Sequence, residues 1–454
     1  MKVIIAGAGI IGANVADSLA QEGHDVFLIE RDEATAQKVD EKVNAKVIVG
    51  NAADPDTLRK VDVANADLMV SVTTSDETNL VVSLLAASLG AKRRLARVRN
   101  TSLGKFLAEH GHQKFSIDEL INPEEVAAQA IVKTILTPGA REVADFAGGQ
   151  ILLRAFDMKT SSNLCGLKVE ALRDEDFPWP FLIIAILRKG EVIIPKGDTV
   201  IEPGDRIYVL LPTPSLAEFL TFVDTETRMP QKVVIYGATD MGERVASALA
   251  GHISDILLLE EDMEQAEAVA GRLGSSVKVI NGSALESEIL TECGMEVVDV
   301  FIATSDDDQN NLVSAVLAKK AGAKKTIIIA QQPDYIAIVD ALGIDAIINP
   351  RLLAVEQILR LVRGKGIQTV TKFMDCDAEA VELIPEEGSA VTQAPIKDIR
   401  FPDNTIVGAV YNESGVSLAN GDTHIKEGDR VIVFCRELAS KKLHQLFTHK
   451  KHFS

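Results

Sequence analysis

Apolar residues fall along this chain in short unbroken runs, each followed by a stretch where they recur every three or four positions. Val3-Ile4-Ile5-Ala6 is the first run; the spacing turns helical from Asn14 to Leu19, and Val26-Phe27-Leu28-Ile29 forms a second run ending at Glu30. Four consecutive apolar residues suit a parallel strand covered on both faces, whereas a half-exposed antiparallel strand would alternate. The rhythm continues with a helix over residues 34–43, a strand over 46–49, a short helix from Pro55 to Val61, a strand over 67–72 and an apolar helix over 80–89. Strands at 94–99 and 117–121 and a helix over 125–136 then lead to Pro138-Gly139, where the pattern stops. Strand and helix in strict alternation predict a Rossmann-like, doubly wound parallel sheet.

From Gly149 to Val223 the chain changes character, with short strands at 152–153, 182–187, 191–194 and 207–211 separated by Gly and Pro turns. This predicts a small β-rich module, followed by a polar linker over 225–231 that contains Pro230. The chain then repeats itself. Gly237 and Glu260 follow Gly7 and Glu30 by 230 residues, Asp299 and Asn311 follow Asp67 and Asn79 by 232, and Asn349-Pro350 follows Asn122-Pro123 by 227. Gly421-Asp422-Thr423 and Gly428-Asp429-Arg430 return 224 residues after Gly197-Asp198-Thr199 and Gly204-Asp205-Arg206. Near-constant offsets over the whole length mean internal duplication. The expected fold class is α/β, two Rossmann-like doubly wound parallel-sheet domains, each followed by a small β-rich α+β module. The expected boundaries are 1–138, 140–224, 231–363 and 367–450.

Chemistry concentrates in the first half. Gly7, Gly9 and Gly12 stand as G-x-G-x-x-G between the first strand and the first helix. Gly7 permits a tight turn, Gly9 lets backbone approach a pyrophosphate, and Gly12 lets helix lie close on strand, while the helix N-terminus offers free N–H groups to phosphates. Glu30 ends the second strand, where a carboxylate accepts hydrogen bonds from ribose hydroxyls. That favours NAD over NADP, although ADP and ATP carry the same ribose; the bland alternative is the same fold with an empty crevice. Thr73 and Thr74 leave the fourth strand at its carboxyl end, where ligands bind in such sheets, and Thr74 with Glu77 also fits a capping box. Arg97 and Arg99 share a strand face and suit phosphates, a neighbouring subunit's carboxylate, or a solvated edge. In the second half Thr239 replaces the middle glycine and Ile329 and Gln331 replace the arginines, so that crevice is read as weaker, altered or vacant.

Composition narrows the rest. A net charge of −19 and a pI near 4.9 argue against a general nucleic-acid binder, which needs a basic surface. Cys165, Cys293, Cys376 and Cys435 stand far apart without a C-x-x-C pair, so they read as small buried hydrophobes, not as redox or zinc ligands. The histidines are scattered, among them His110 and His112 beside Gly111 and His444, His449 and His452 near the C-terminus, with no metal-ligand spacing. No apolar run approaches the about 18 residues of a spanning helix, and the first residues enter a core strand, leaving no room for a signal peptide. The expectation is a cytoplasmic protein that reaches a membrane only through a partner. No general acid or base presents itself beside a nicotinamide, nor any hydrolase or P-loop motif.

Taken together, GAGIIG at 7–12, TTSDETN at 73–79, ARVRN at 96–100 and the duplicated module with its two GDR turns resemble the TrkA family. These are the cytosolic regulatory subunits of bacterial Trk potassium uptake systems, built from two RCK (regulator of potassium conductance) halves. The resemblance covers essentially the whole chain. It implies binding of NAD, NADH, ATP or ADP, no enzymatic activity, and a homo-tetrameric ring, peripheral on the inner face of the plasma membrane beneath a TrkH/TrkG-like potassium channel subunit. It also implies that Gly7, Ala8, Gly9, Ile10 and Ile11 line the pyrophosphate, that Glu30 holds the ribose, and that Thr73, Thr74, Arg97 and Val98 complete the first pocket. Gly12 and Asn51, the latter in the turn after the third strand, are counted with them; Gly237, Gly242 and Glu260 are the second pocket's counterparts. Nucleotide exchange would shift the domains and so gate potassium flux. Two rival readings stay open: a soluble NAD-dependent oxidoreductase with an unrecognised substrate pocket, and a stand-alone sensor acting on another transporter.

Overall fold

The apolar runs become the strands of four sheets in the computed structural model, which describes residues 1–173, 179–223, 229–363, 367–372, 378–436 and 440–448. The first sheet holds β1 (Lys2–Ala6), β2 (Asp25–Glu30), β3 (Lys46–Val49), β4 (Leu68–Ser71), β5 (Arg94–Arg97) and β6 (Glu119–Ile121), all parallel, in the order β3-β2-β1-β4-β5-β6. The chain runs outward from β1 to β3 and returns to place β4 on the other side of β1, so a crevice opens beyond the carboxyl ends of β1 and β4. Alternate residues of β1 face opposite layers. Val3 and Ile5 meet Val15, Ala16 and Leu19 of the helix Ile10–Gln21, while Ile4 and Ala6 join Met69, Val82 and Ala86 on the other face. Burial on both faces explains why β1 is apolar throughout.

The second sheet is antiparallel: β7 (Ala140–Phe146), β8 (Ile151–Asp157), β9 (Leu182–Arg188), β10 (Glu191–Ile193) and β11 (Arg206–Pro212), in the order β10-β9-β11-β8-β7. The third comprises β12 (Lys232–Tyr236), β13 (Asp255–Glu260), β14 (Lys278–Asn281), β15 (Val300–Ala303), β16 (Lys325–Ile329) and β17 (Ala346–Ile348), ordered β14-β13-β12-β15-β16-β17. The fourth comprises β18 (Ile367–Lys372), β19 (Ala378–Leu383), β20 (Thr405–Asn412), β21 (Gly415–Leu418) and β22 (Arg430–Arg436), ordered β18-β19-β22-β20-β21. Read from its other edge, that order repeats the second sheet. The duplication therefore extends from sequence offsets to topology in both kinds of domain.

The chain divides into two compact units, 1–132 with 230–362 and 133–229 with 363–454. In the first unit the two parallel-sheet domains are joined by an exchanged helix. Val355, Ile358, Leu359 and Val362 of the helix Pro350–Arg363 belong to the core built on β1, although they come from the second half. At about 1.5–3 kcal/mol for each fully buried aliphatic side chain, these four contribute at most about 6–12 kcal/mol to holding the halves together. In the second unit Phe146, Ile151, Leu153 and Leu210 share a core with Ala380, Ala409, Ile432 and Phe434. Glu382, fully buried there, accepts from the Ala147 backbone N–H and pairs with Arg430.

Several details depart from the sequence reading. The helix expected over 80–89 begins at Asp76, and its cap is Ser75, not Thr74: the Ser75 hydroxyl accepts from Thr78 N at 3.1 Å. Thr73 is held instead by the buried Asn79, which shifts the cap one residue onward. The helix Thr101–His110, capped by Asn100, is a further element with Leu103, Phe106 and Leu107 at helical spacing, and it places His110 at a helix end. Strand β7 and the helix Leu216–Val223 extend the first β-rich module beyond the strands expected there. Cys293 and Cys435 are core residues, but Cys165 is only half-buried. Cys376, His449, His452 and residues 225–228 of the expected linker lie outside the described residues. Among the described residues, no helix is long and apolar enough to cross a membrane.

Candidate functional site

The crevice at the carboxyl ends of β1 and β4 is a cavity of about 550 Å³, within the rough 300–1,000 Å³ range of small-molecule sites. The glycine turn forms its floor. Gly7 has φ +101°, and a Cβ there would lie 3.0 Å from Thr73 Cα, so only glycine fits without strain. Gly12 is under tighter constraint, since a Cβ would come to 1.9 Å from the Gly7 carbonyl oxygen. Gly9 differs from both. A Cβ at Gly9 would meet nothing within 4 Å, and its φ of −68° and ψ of −175° suit any residue. The fold therefore does not require a glycine at position 9, and the space its missing side chain leaves belongs to the cavity. The helix Ile10–Gln21 begins there without a side-chain cap, leaving N–H groups for an anion.

Glu30 serves the turn as well as the crevice. Its Oε2 accepts from Ala8 N at 2.8 Å, and its Oε1 accepts from Arg31 N and Asp32 N at 2.8 and 3.0 Å. Three of about four lone-pair directions are thus taken, which leaves room for one further donor such as a ribose hydroxyl. On the opposite wall Asn79, with no exposed surface, uses all its capacity. Its Oδ1 accepts from Thr73 N and the Thr73 hydroxyl at 2.9 and 2.7 Å; its Nδ2 donates to the carbonyls of Thr73 and Arg97 at 3.2 and 3.0 Å. One side chain thereby fixes the ends of β4 and β5 relative to each other. Asp76 adds to this by accepting from the backbone N–H groups of Arg99 and Asn100.

The far end of the cavity is cationic. Arg97 donates to the Thr73 carbonyl at 3.2 Å, while its Nε is buried without a partner. Burial pushes the Arg97 guanidinium below its ordinary value; Glu124 opposes this, and the neighbouring charges of Arg99 and Arg351 add to it. Arg99, more exposed, pairs with Glu124 at 2.8 Å. Arg31 stands at the opposite end, beside Glu30.

Of the residues singled out from sequence, Gly7, Gly9, Ile10, Ile11, Glu30, Asn51, Thr73, Thr74 and Arg97 line this one cavity. Ala8, Gly12 and Val98 act behind it: Ala8 as the donor to Glu30, Gly12 as the helix–strand contact, and Val98 as a buried side chain. Arg31, Asp32, Thr35, Ser75 and Thr78 also line it, and the sequence reading passed over them. Their place after β2 or in the cap of a helix was a signal available in the sequence. Arg351 is different, since it arrives from the second half and nothing near it in sequence points to the first crevice.

The second crevice keeps the frame and changes the lining. Gly237 repeats the positive φ at +96°, Gly242 sits under the Gly237 carbonyl, and Glu260 Oε2 accepts from Ala238 N at 2.7 Å. Thr239 has φ −68° and ψ 167°, close to Gly9, but its hydroxyl caps the helix by accepting from Gly242 N at 3.2 Å, and it donates to the Thr304 carbonyl at 2.8 Å. A donor that an anion would use is thus already taken. Glu261 stands where Arg31 does in the first half, bonded by Tyr236 and Ser283 at 2.6 and 2.5 Å. Burial, followed by the bond to Glu261, drives the Tyr236 phenol above its ordinary range. With Ile329 and Gln331 replacing Arg97 and Arg99, the cationic wall is gone. Among the described residues, no group of three or more His, Cys, Asp or Glu side chains is placed to hold a metal ion.

Comparison with known proteins adds a family and a fold. The TrkA-N domain family model matches residues 3–123 and again 233–350, and the TrkA-C domain model matches 153–223. A Trk system potassium uptake protein TrkA from Haemophilus influenzae is 32% identical over 450 residues, covering 97% of this chain and 96% of that protein. A TrkA homolog from Archaeoglobus fulgidus is also 32% identical, covering 98% and 100%. Among solved structures, the GsuK RCK domain superposes with a TM-score of 0.61 at 16% identity, covering 98% of this chain and 94% of that one. The GsuK channel bound to NAD gives 0.60 at 15%, covering 98% and 78%. At such identities these likenesses concern the fold: two RCK-type halves.

Proposed function

Because this chain belongs to the TrkA family of Trk-system potassium uptake proteins, we propose that it is a regulatory subunit that senses an adenine nucleotide and gates potassium flux. The ligand is NAD(H), or ATP or ADP, held in the first crevice, with phosphates on the glycine turn, a ribose hydroxyl on Glu30 and the cationic wall at Arg97. One observation carries this reading: the space above Gly9, which no packing demand explains, beside an uncapped helix and a half-buried arginine whose Nε is enclosed without a partner. The second crevice, with Thr239 capping its helix and Glu261 at its rim, does not take a dinucleotide. The same reading divides the chain into a Rossmann-like nucleotide-binding domain 1–138, a second Rossmann-like domain 231–363, and β-rich modules 140–224 and 367–450. It makes the protein a homo-tetramer, cytoplasmic and peripheral to the plasma membrane, attached to a TrkH/TrkG-like channel subunit.

No covalent step is needed. Occupancy shifts the balance between two arrangements of the halves, and a coupling of about 1–3 kcal/mol, or roughly 5–150-fold in affinity, suffices. Among the described residues, the cavity lining contains no histidine, lysine, cysteine or tyrosine that would serve a hydride-transfer enzyme as acid or base. The test is potassium flux through the partner channel in liposomes with each nucleotide added in turn. Flux that changes with nucleotide supports gating; flux that ignores a nucleotide shown to bind ends it. A cofactor-turnover screen separates the rival oxidoreductase, since a regulator binds NADH without oxidising it.

A further inference from the structure

Arg351 lines the first crevice but belongs to the second half of the chain. It sits in the first turn of the helix Pro350–Arg363, where its backbone N–H donates to Asn349 Oδ1 at 3.0 Å. That helix is fastened to the first half by Val355, Ile358, Leu359 and Val362 in the core on β1, and by Arg93, which donates to the Leu361 carbonyl at 3.3 Å. The Arg351 side chain makes no hydrogen bond among the described residues, and its charge lies close enough to Arg97 to disfavour that residue's protonated form. In the first half the residue following the equivalent proline is Glu124, which pairs with Arg99. The helix from the second half thus brings an arginine to the first crevice, where the first half's own helix places a carboxylate at the border. Two guanidinium groups brought together, one with a buried donor unmet and the other unpaired, form a site for an anion.

We propose that Arg351 reads the charge on the far end of the nucleotide in the first crevice. Arg97 from the first half and Arg351 from the second close on the terminal phosphate of a nucleoside di- or triphosphate, so that this ligand ties the two halves together. A ligand whose far end carries no negative charge, such as NADH beyond its pyrophosphate or AMP with its single phosphate on the glycine turn, leaves Arg351 unused. The inference rests on nucleotide binding in the first crevice and adds the specificity within it.

The experiment is a titration of the full-length protein with ATP, ADP, AMP and NADH by calorimetry at one fixed salt concentration, for wild type, Arg351→Gln and Arg351→Lys. Arg351→Gln is expected to weaken ATP and ADP by at least about tenfold, as loss of a charge-assisted bond to phosphate implies, and to leave AMP and NADH within about threefold. Arg351→Lys should recover part of the loss, since an ammonium keeps the charge but not the planar fork. Equal weakening of all four ligands, or unchanged ATP binding in Arg351→Gln, overturns the assignment while leaving the binding site intact. A wild-type protein that binds none of the four removes the site itself.

Discussion

Replacing Gly9 by Thr copies into the first half what the second half already has, and the structure lets both effects be estimated. The backbone needs no adjustment, because Gly9 and Thr239 share φ −68° and differ little in ψ. There is room too, since a Cβ at Gly9 meets no atom within 4 Å. A threonine hydroxyl there reaches Gly12 N as Thr239 reaches Gly242 N at 3.2 Å, so the helix gains a cap. Thr and Gly differ by only a few tenths of a kcal/mol at such positions, and the ligand-free thermal midpoint should therefore stay nearly constant. Binding should suffer far more. The side chain takes space that a pyrophosphate needs and competes for its N–H donors; one or two lost charge-assisted bonds at about 1.5–3 kcal/mol each amount to about 1.5–6 kcal/mol. That corresponds to a loss of at least roughly tenfold in Kd. The assay pairs calorimetric titration of ADP and NADH with a ligand-free melting curve. Affinity within about threefold of wild type would refute the placement of phosphate over Gly9, and a large drop in the melting midpoint would refute the claim that this glycine is free of packing duty.

Other perturbations separate structure from binding. Gly12→Ala puts a methyl group 1.9 Å from the Gly7 carbonyl, and should destabilise the protein by about 3 kcal/mol, seen as earlier denaturant unfolding; unchanged stability would contradict the close helix–strand contact. Asn79→Ala and Asn311→Ala each remove four hydrogen bonds to backbone or hydroxyl partners in equivalent networks, and each should cost about 2–4 kcal/mol. Only Asn79→Ala should also weaken nucleotide binding beyond the effect of unfolding, because Thr73 and Arg97 depend on it; equal binding by both variants would refute this. Asp67 is held below the usual carboxylate range by Lys92 and the Lys2 backbone, and Asp299, despite burial, by Lys324 and the backbone at Gln231 and Lys232. Depressed folded values stabilise above the unfolded carboxylate pKa near about 3.9, and that stability is lost as pH falls through the folded values. Melting curves from pH 6 to pH 3 should therefore fall less steeply for Asp67→Asn and Asp299→Asn than for wild type, and parallel curves would argue against the linkage.

What could be read without coordinates was local or periodic. Four-residue apolar runs give buried parallel strands because such strands face helices on both sides, and the glycine spacing before a helix gives the turn because steric limits on backbone act within a few residues. Constant offsets gave the duplication, since copies keep their registers; even the change at Thr239 was visible. The cap lies one residue beyond the Thr74–Glu77 box that the sequence favours: Ser75 accepts from Thr78 N, while the buried Asn79 holds Thr73. Arg351 was out of reach for a stronger reason. Its place in the first crevice follows from the exchanged helix Pro350–Arg363, whose apolar face fits the core on β1. An amphipathic helix announces that it will be covered, but the surface that covers it is chosen by shape and burial across the whole fold. Chain pattern thus determined the folds and the glycine turn, while tertiary packing alone decided that the two halves share one cationic wall.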